Sequence, residues 1–150
     1  MTFLDTNVFI RALVEPVGDV DTRTAEECRT LLRRVEQKEA LVTTSEAVLA
    51  EVAYVLSSPR VYGLKPDRIR DLLTPILSLR GMRIPSGRRV TRALELWAEY
   101  PHLGFEEALT AAQVLEDGSL DLCSFNSAFD RVSGVKRVLV SGISDRVGTP

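Results

Sequence analysis

The sequence predicts an α/β fold, a parallel sheet with helices on both faces. Three observations predict it. Short apolar, β-branched runs alternate with segments of helical periodicity along the whole chain. One of these runs, "ALVTT", is apolar and β-branched throughout, as a strand covered on both faces should be. The chain is 150 residues long, 45% hydrophobic and 27% charged, which suits a single core. Strands separated by helices close into a parallel sheet because each crossover helix packs back onto it. In such sheets ligands bind beyond the carboxyl ends of the strands.

The elements follow in order. Thr2 to Leu4 reads as a first strand and Thr6 to Leu13 as a short helix, with "EPVGDVD" as a loop. Thr24 with Glu27 three residues on forms a capping box, and the helix after it carries Ala25, Cys28, Leu31, Leu32 and Val35 on one face. "ALVTT" is the second strand. Ser45 caps a helix whose stripe is Val48, Leu49, Val52, Val55 and Leu56. Pro66 opens the next helix, and Pro75 should kink it. "GMRIP" is a short third strand, and Val90, Ala93, Leu94 and Trp97 mark a helix ending before Pro101. "EEALTAAQVLED" is a helix stopped by Gly118. "LDLCSF" and "KRVLV" are the fourth and fifth strands, with a turn at "NSAFDRV" between them. One domain over residues 1–150 is expected, without repeats or long linkers.

The net charge of −2 gives no general attraction to polyanions, so a nucleic-acid partner would need a local basic patch or a bound metal. Cys28 and Cys123 read as small buried residues of a reducing compartment. The chain begins directly with its first strand, with no secretory pattern, and no run approaches the ~18 apolar residues of a membrane span. A cytoplasmic protein without membrane association is expected.

Three acids and an amide stand out. Asp5 lies at the carboxyl end of the first strand, beside Thr6 and Asn7, which could equally be plain helix-capping residues. Glu51 borders the apolar stripe of its helix. Glu106 and Glu107 occupy a helical first turn, where the macrodipole favours negative charge. Of the two, Glu107 shares a face with Ala111 and Leu115 and should point inward. Asn126 follows the fourth strand. His102, in a "YPHLG" loop, reads as exposed and structural. Two isolated cysteines and one histidine do not make a zinc site. Arg11 and the run Arg88, Arg89 and Arg92 are the basic candidates, the run reading as a solvated helix face. "LLTPILSL" is apolar enough for either a core or a partner surface.

Together, "FLDTNVFIRAL", "TSEAVLAEVAYVL" and "GFEEALTAAQVLEDGSLDLCSFNSAFDRVSGVKRV" resemble a PIN domain, and more narrowly the VapC-type toxins of toxin–antitoxin pairs. The resemblance covers nearly the whole chain. It implies a three-layer α/β/α fold with a central, mostly parallel sheet of about five strands. It also implies a ribonuclease that uses Mg²⁺ or Mn²⁺, with Asp5, Glu51, Glu107 and Asn126 at the catalytic positions. The first three of these would be the metal ligands, and Thr6, Asn7 and Arg11 would orient ligand or substrate. The partners it implies are an RNA substrate, a small antitoxin and a second copy of the chain.

Two positions depart from the family pattern. Glu107 stands where Asp is usual, and "SFN" replaces the common "TFD". Asparagine still offers an oxygen but no charge, which weakens a second metal site more than the first. Asp130, one turn beyond Asn126, is a candidate for replacing that charge, whereas Asp121 sits at the wrong end of its strand. The competing reading is a catalytically weak or inactive PIN-like module that binds RNA or protein. Receiver-domain and haloacid-dehalogenase-like readings fail, because the former wants an acid closing the third strand and the latter an Asp at position 7.

Overall fold

The structure is a computed structural model that describes residues 1–15 and 22–143. The expected loop at 15–21 lies, apart from Glu15, outside the described residues. Among the described residues the strands are β1 (Thr2–Phe3), β2 (Val42–Thr43), β3 (Met82–Arg83), β4 (Leu122–Cys123) and β5 (Arg137–Val138). The helices are α1 (Thr6–Leu13), α2 (Thr22–Glu36), α3 (Glu46–Ser57), α4 (Pro66–Leu77), α5 (Gly87–Glu99) and α6 (Phe105–Glu116). A 3₁₀ turn over Ser127–Arg131 occupies the "NSAFDRV" turn.

All strand pairs are parallel, and the fold is α/β. The expected five-stranded sheet is corrected. The main sheet has three strands in the order β1-β2-β3, and β4-β5 is a separate pair. The reason lies in the ladders. Thr2 and Leu4 donate their amides to Leu41 and Thr43, so alternation turns the peptide groups of Phe3 to the opposite edge of β1. Likewise Leu122 and Ser124 bond toward β5, leaving those of Cys123 on the far edge of β4. Strands of two residues leave one outward-turned residue each, too little to build a ladder between these edges. The Phe3 side chain is 55% exposed.

The helices form as their patterns dictate. Ser45 Oγ accepts the amide of Val48 at 3.2 Å, starting α3. Pro66 opens α4, whose Ile69 and Leu73 are fully buried; within "LLTPILSL" Leu73 is core, and Ile76, Leu77 and Leu79 pack half-buried against it. Burying such aliphatic side chains contributes roughly 1.5–3 kcal/mol each. Trp97 Nε1 donates to the carbonyl of Leu103 at 2.9 Å, and its ring lies 5.5 Å from that of Phe105, which fixes the turn from α5 into α6.

β3 starts at a close approach. The Gly81 amide donates to Val35 and its carbonyl accepts from Val42, and a Cβ there would run into the carbonyls of Ala40 and Val35. Cys28 is half-buried, and burial pushes its thiol up. Cys123 is exposed, correcting the expectation that both cysteines are buried, because the face of β4 that carries it is uncovered. No described helix is long and apolar enough to cross a membrane.

Candidate active site

Leu4 N–H bonds the carbonyl of Thr43 at 2.8 Å, and its own carbonyl accepts the buried Thr44 hydroxyl at 2.9 Å. The chain is therefore pinned immediately before Asp5. Asp5 takes the N-cap position of α1 with extended backbone, yet its side chain makes no capping bond. The plain capping role weighed from the sequence is thus not what its carboxylate does. That carboxylate is exposed and has no hydrogen bond or ion pair with a described residue.

The next residue makes the long-range link. Thr6 is buried, and its Oγ1 donates to Glu51 Oε2 at 2.7 Å, across 45 positions of sequence. β1, α1 and α3 thereby bring Asp5 and Glu51 to one neighbourhood. One Glu51 oxygen is held and the other is left without a described partner.

Glu107 enters from α6. It is half-buried while Glu106 is exposed, as the shared face with Ala111 predicted. Its Oε2 accepts the amide of Gly104 at 3.4 Å, a long bond across its own first turn. It lines a hollow of about 170 Å³ with Ala50, Tyr54 and Ser57 of α3 and with Trp97. At the other end of the two helices, Arg89 Nη1 reaches Glu46 of α3 at 3.2 Å and its Nε reaches Glu116 of α6 at 3.1 Å. α3 and α6 therefore run antiparallel, with Glu107 against the C-terminal half of α3 and Glu51 turned to Thr6 of α1.

Asn126 is engaged locally. It is exposed, and its Oδ1 accepts the amide of Ala128 at 3.0 Å, capping the 3₁₀ turn. The carbonyl of Ala128 bonds His102 Nε2 at 3.1 Å, so this turn rests on the loop that leads into α6. Asp130 does not supply the charge that Asn126 lacks. It forms a two-pronged pair with Arg137, both contacts 2.8 Å, and hydrogen bonding from that guanidinium holds its carboxyl below the usual range. Asp121 pairs with Lys136. Asn7 is exposed. Arg11 is half-buried beside Cys28, on the side of α1 that faces α2, and makes no ion pair with a described residue.

Glu26, Glu36, Glu46, Glu116, Asp121 and Asp130 all pair with arginine or lysine. Asp5, Glu51 and Glu107 pair with no cation among the described residues, nor do Asp67, Glu99, Glu106 and Asp117. As donors Asp5, Glu51 and Glu107 suit a hard divalent ion, which takes carboxylate oxygens. As placed, they do not form a closed cage: among the described residues no three His, Cys, Asp or Glu side chains stand close enough together to hold a metal. Bare carboxylates repel one another, and Glu107 is turned back onto Gly104.

The model of the PIN domain family matches residues 2–135. The chain belongs to the PIN domain family. PIN domains are generally of nuclease type and generally use divalent metals, so the chain is a nuclease-type PIN domain at that level. No protein of curated function matches it.

Sequence reasoning missed two positions in this PIN domain. Thr44 secures the residue before Asp5; its signal is a second threonine just ahead of the Ser45 cap. Thr6, expected to orient ligand or substrate, bonds the Glu51 carboxylate. Arg89 was grouped with a solvated face, though it ties α3 to α6.

Proposed function

We propose that this PIN domain is a Mg²⁺- or Mn²⁺-dependent endoribonuclease and the toxin of a VapC-type toxin–antitoxin pair, acting in the cytoplasm. The observation that carries the reading is the Thr6–Glu51 hydrogen bond, which joins the carboxylate-bearing end of β1 to a second carboxylate on α3. Asp5, Glu51 and Glu107 would hold the ion. Bound there, it would supply an activated water and shield the phosphate charge. Asp5 offers an unengaged carboxylate from a pinned backbone. Thr6 fixes the Glu51 rotamer, as hydrogen bonds behind metal ligands do. Glu107 gives up its long bond to Gly104 to join them. Asn126 adds an uncharged oxygen at the rim.

A small antitoxin partner and a homodimer belong to this reading. Exposed apolar side chains such as Phe3, Phe125 and Val140 support protein contacts. One observation favours the second reading, a weakly active or inactive binding module: the Asn126 oxygen already caps a turn.

The test is Asp5→Asn. Cleavage of a generic single-stranded RNA with Mg²⁺ or Mn²⁺ should be lost, while the melting temperature in chelator stays equal or rises slightly as carboxylate repulsion falls. Full cleavage by Asp5→Asn overturns the catalytic assignment. Overproduction should also slow growth, and the adjacent small reading frame should rescue it. Unimpaired growth removes the toxin role and leaves the nuclease.

A further inference from the structure

We propose that an arginine-lined cavity at the carboxyl end of β3 binds backbone phosphates of single-stranded RNA flanking the cleaved bond. The inference rests on the reading of the chain as an RNA enzyme. The cavity, about 500 Å³, lies between the end of α4, β3 and the first turns of α5, and Arg83, Arg88 and Arg92 line it. A second hollow of about 330 Å³ shares Arg88 and Arg92 and continues to Ala112 and Leu115 on α6.

The charges here are largely unspent on the fold. Arg88 has no hydrogen bond or ion pair with a described residue. Arg83 Nη1 donates only to carbonyls, those of Arg80 at 2.8 Å and Met82 at 3.0 Å, so its charge is not neutralised. Arg92 pairs with Glu95, the single acid on the cavity wall. Arg89, which edges the second hollow, is the exception, being neutralised by Glu46 and Glu116. Ser86 leaves the start of α5 without a side-chain cap, and no acid occupies its first turn. Guanidinium groups suit phosphate, which they can grip through two parallel N–H bonds.

Topology puts Arg83 and Arg88 toward the strand end that carries Asp5, while the second hollow adjoins the end of α6 remote from Glu107. Phe3, Thr43 and Arg83 are in register across three parallel strands. Asp5 and the Ile84–Arg88 wall of the cavity therefore lie at the same, carboxyl, end of the strands, and two strand spacings separate β1 from β3 by about 10 Å. Without a bound metal, a chain of net charge −2 attracts RNA through such a local patch. A strand whose scissile phosphate lies near Asp5 would pass neighbouring phosphates over Arg83 and Arg88.

The experiment measures binding of an end-labelled oligouridylate by fluorescence anisotropy in chelator, where no cleavage occurs, across a salt series. Arg88→Ala has no contact to lose and should stay folded. It should bind more weakly, with the slope of log affinity against log salt reduced by about 0.7. Arg83→Ala/Arg88→Ala should reduce it by about 1.4, and the double lysine variant should keep it near wild type. Three outcomes overturn the proposal: no binding by wild type, wild-type affinity and slope in both alanine variants, or loss of self-association or antitoxin binding with the RNA slope intact. Cleavage is assayed separately with Mg²⁺. Arginine-dependent binding without cleavage would remove the nuclease reading and leave the phosphate cavity standing.

Discussion

Thr6 decides more than its size suggests. Its hydroxyl is buried and donates to a glutamate that the chain reaches only 45 residues later. Thr6→Val keeps the shape and removes the donor. Glu51 is exposed and can bond water instead, so stability should change by less than about 1 kcal/mol. Metal-dependent cleavage should fall about 10–100-fold, the usual loss when the group orienting a metal ligand is removed, and Thr6→Ser should restore it. Measured rates that are equal in Thr6→Val and wild type would show that the Glu51 rotamer is irrelevant. At this scale the sequence was legible where backbone position decides, as with Asp5 at the end of β1 and Glu107 rather than Glu106 turned inward. It was silent where a partner decides. Nothing local says that Asp130 belongs to Arg137, that Arg89 bridges two helices, or that the Asn126 oxygen caps a turn.

Elements were legible in the same uneven way. The six described helices appear where capping residues and apolar stripes placed them, because both signals are local. α2 begins at Thr22, two residues before the capping box expected at Thr24. The strands were found but their assembly was not. Pairing depends on which edges meet, and two-residue strands leave β1 and β4 each with a single outward-turned residue.

The placement of α6 yields an element-scale prediction. Trp97 is 4% exposed, and its indole N–H satisfies the carbonyl of Leu103 just before the Gly104 cap. Trp97→Phe fills most of the space but leaves that carbonyl without its donor. The expected loss is about 1–3 kcal/mol, read as a fall in the thermal midpoint of about 2–4 °C per kcal/mol. Cleavage should fall as well, because the first turn of α6 carries Glu107. An unchanged midpoint would mean that water or another donor replaces the indole.

Across the whole molecule, three parallel strands end on one edge, and chemistry gathers there. Asp5 follows β1, the arginine cavity follows β3, and α3 leaves β2 to carry Glu51 past Thr6. α6, clamped to α3 by Arg89 at one end, brings Glu107 at the other. Asp5, Glu51 and Glu107 do not close on a cage by themselves, and the proposed divalent ion would close it. A crystal soaked in Mn²⁺, with anomalous scattering locating the ion, tests this most directly. One ion bound jointly by Asp5, Glu51 and Glu107 is expected, with the Glu107 carboxylate released from Gly104. An ion bound elsewhere, or an ion near Asp5 with Glu107 still turned back on Gly104, would contradict it.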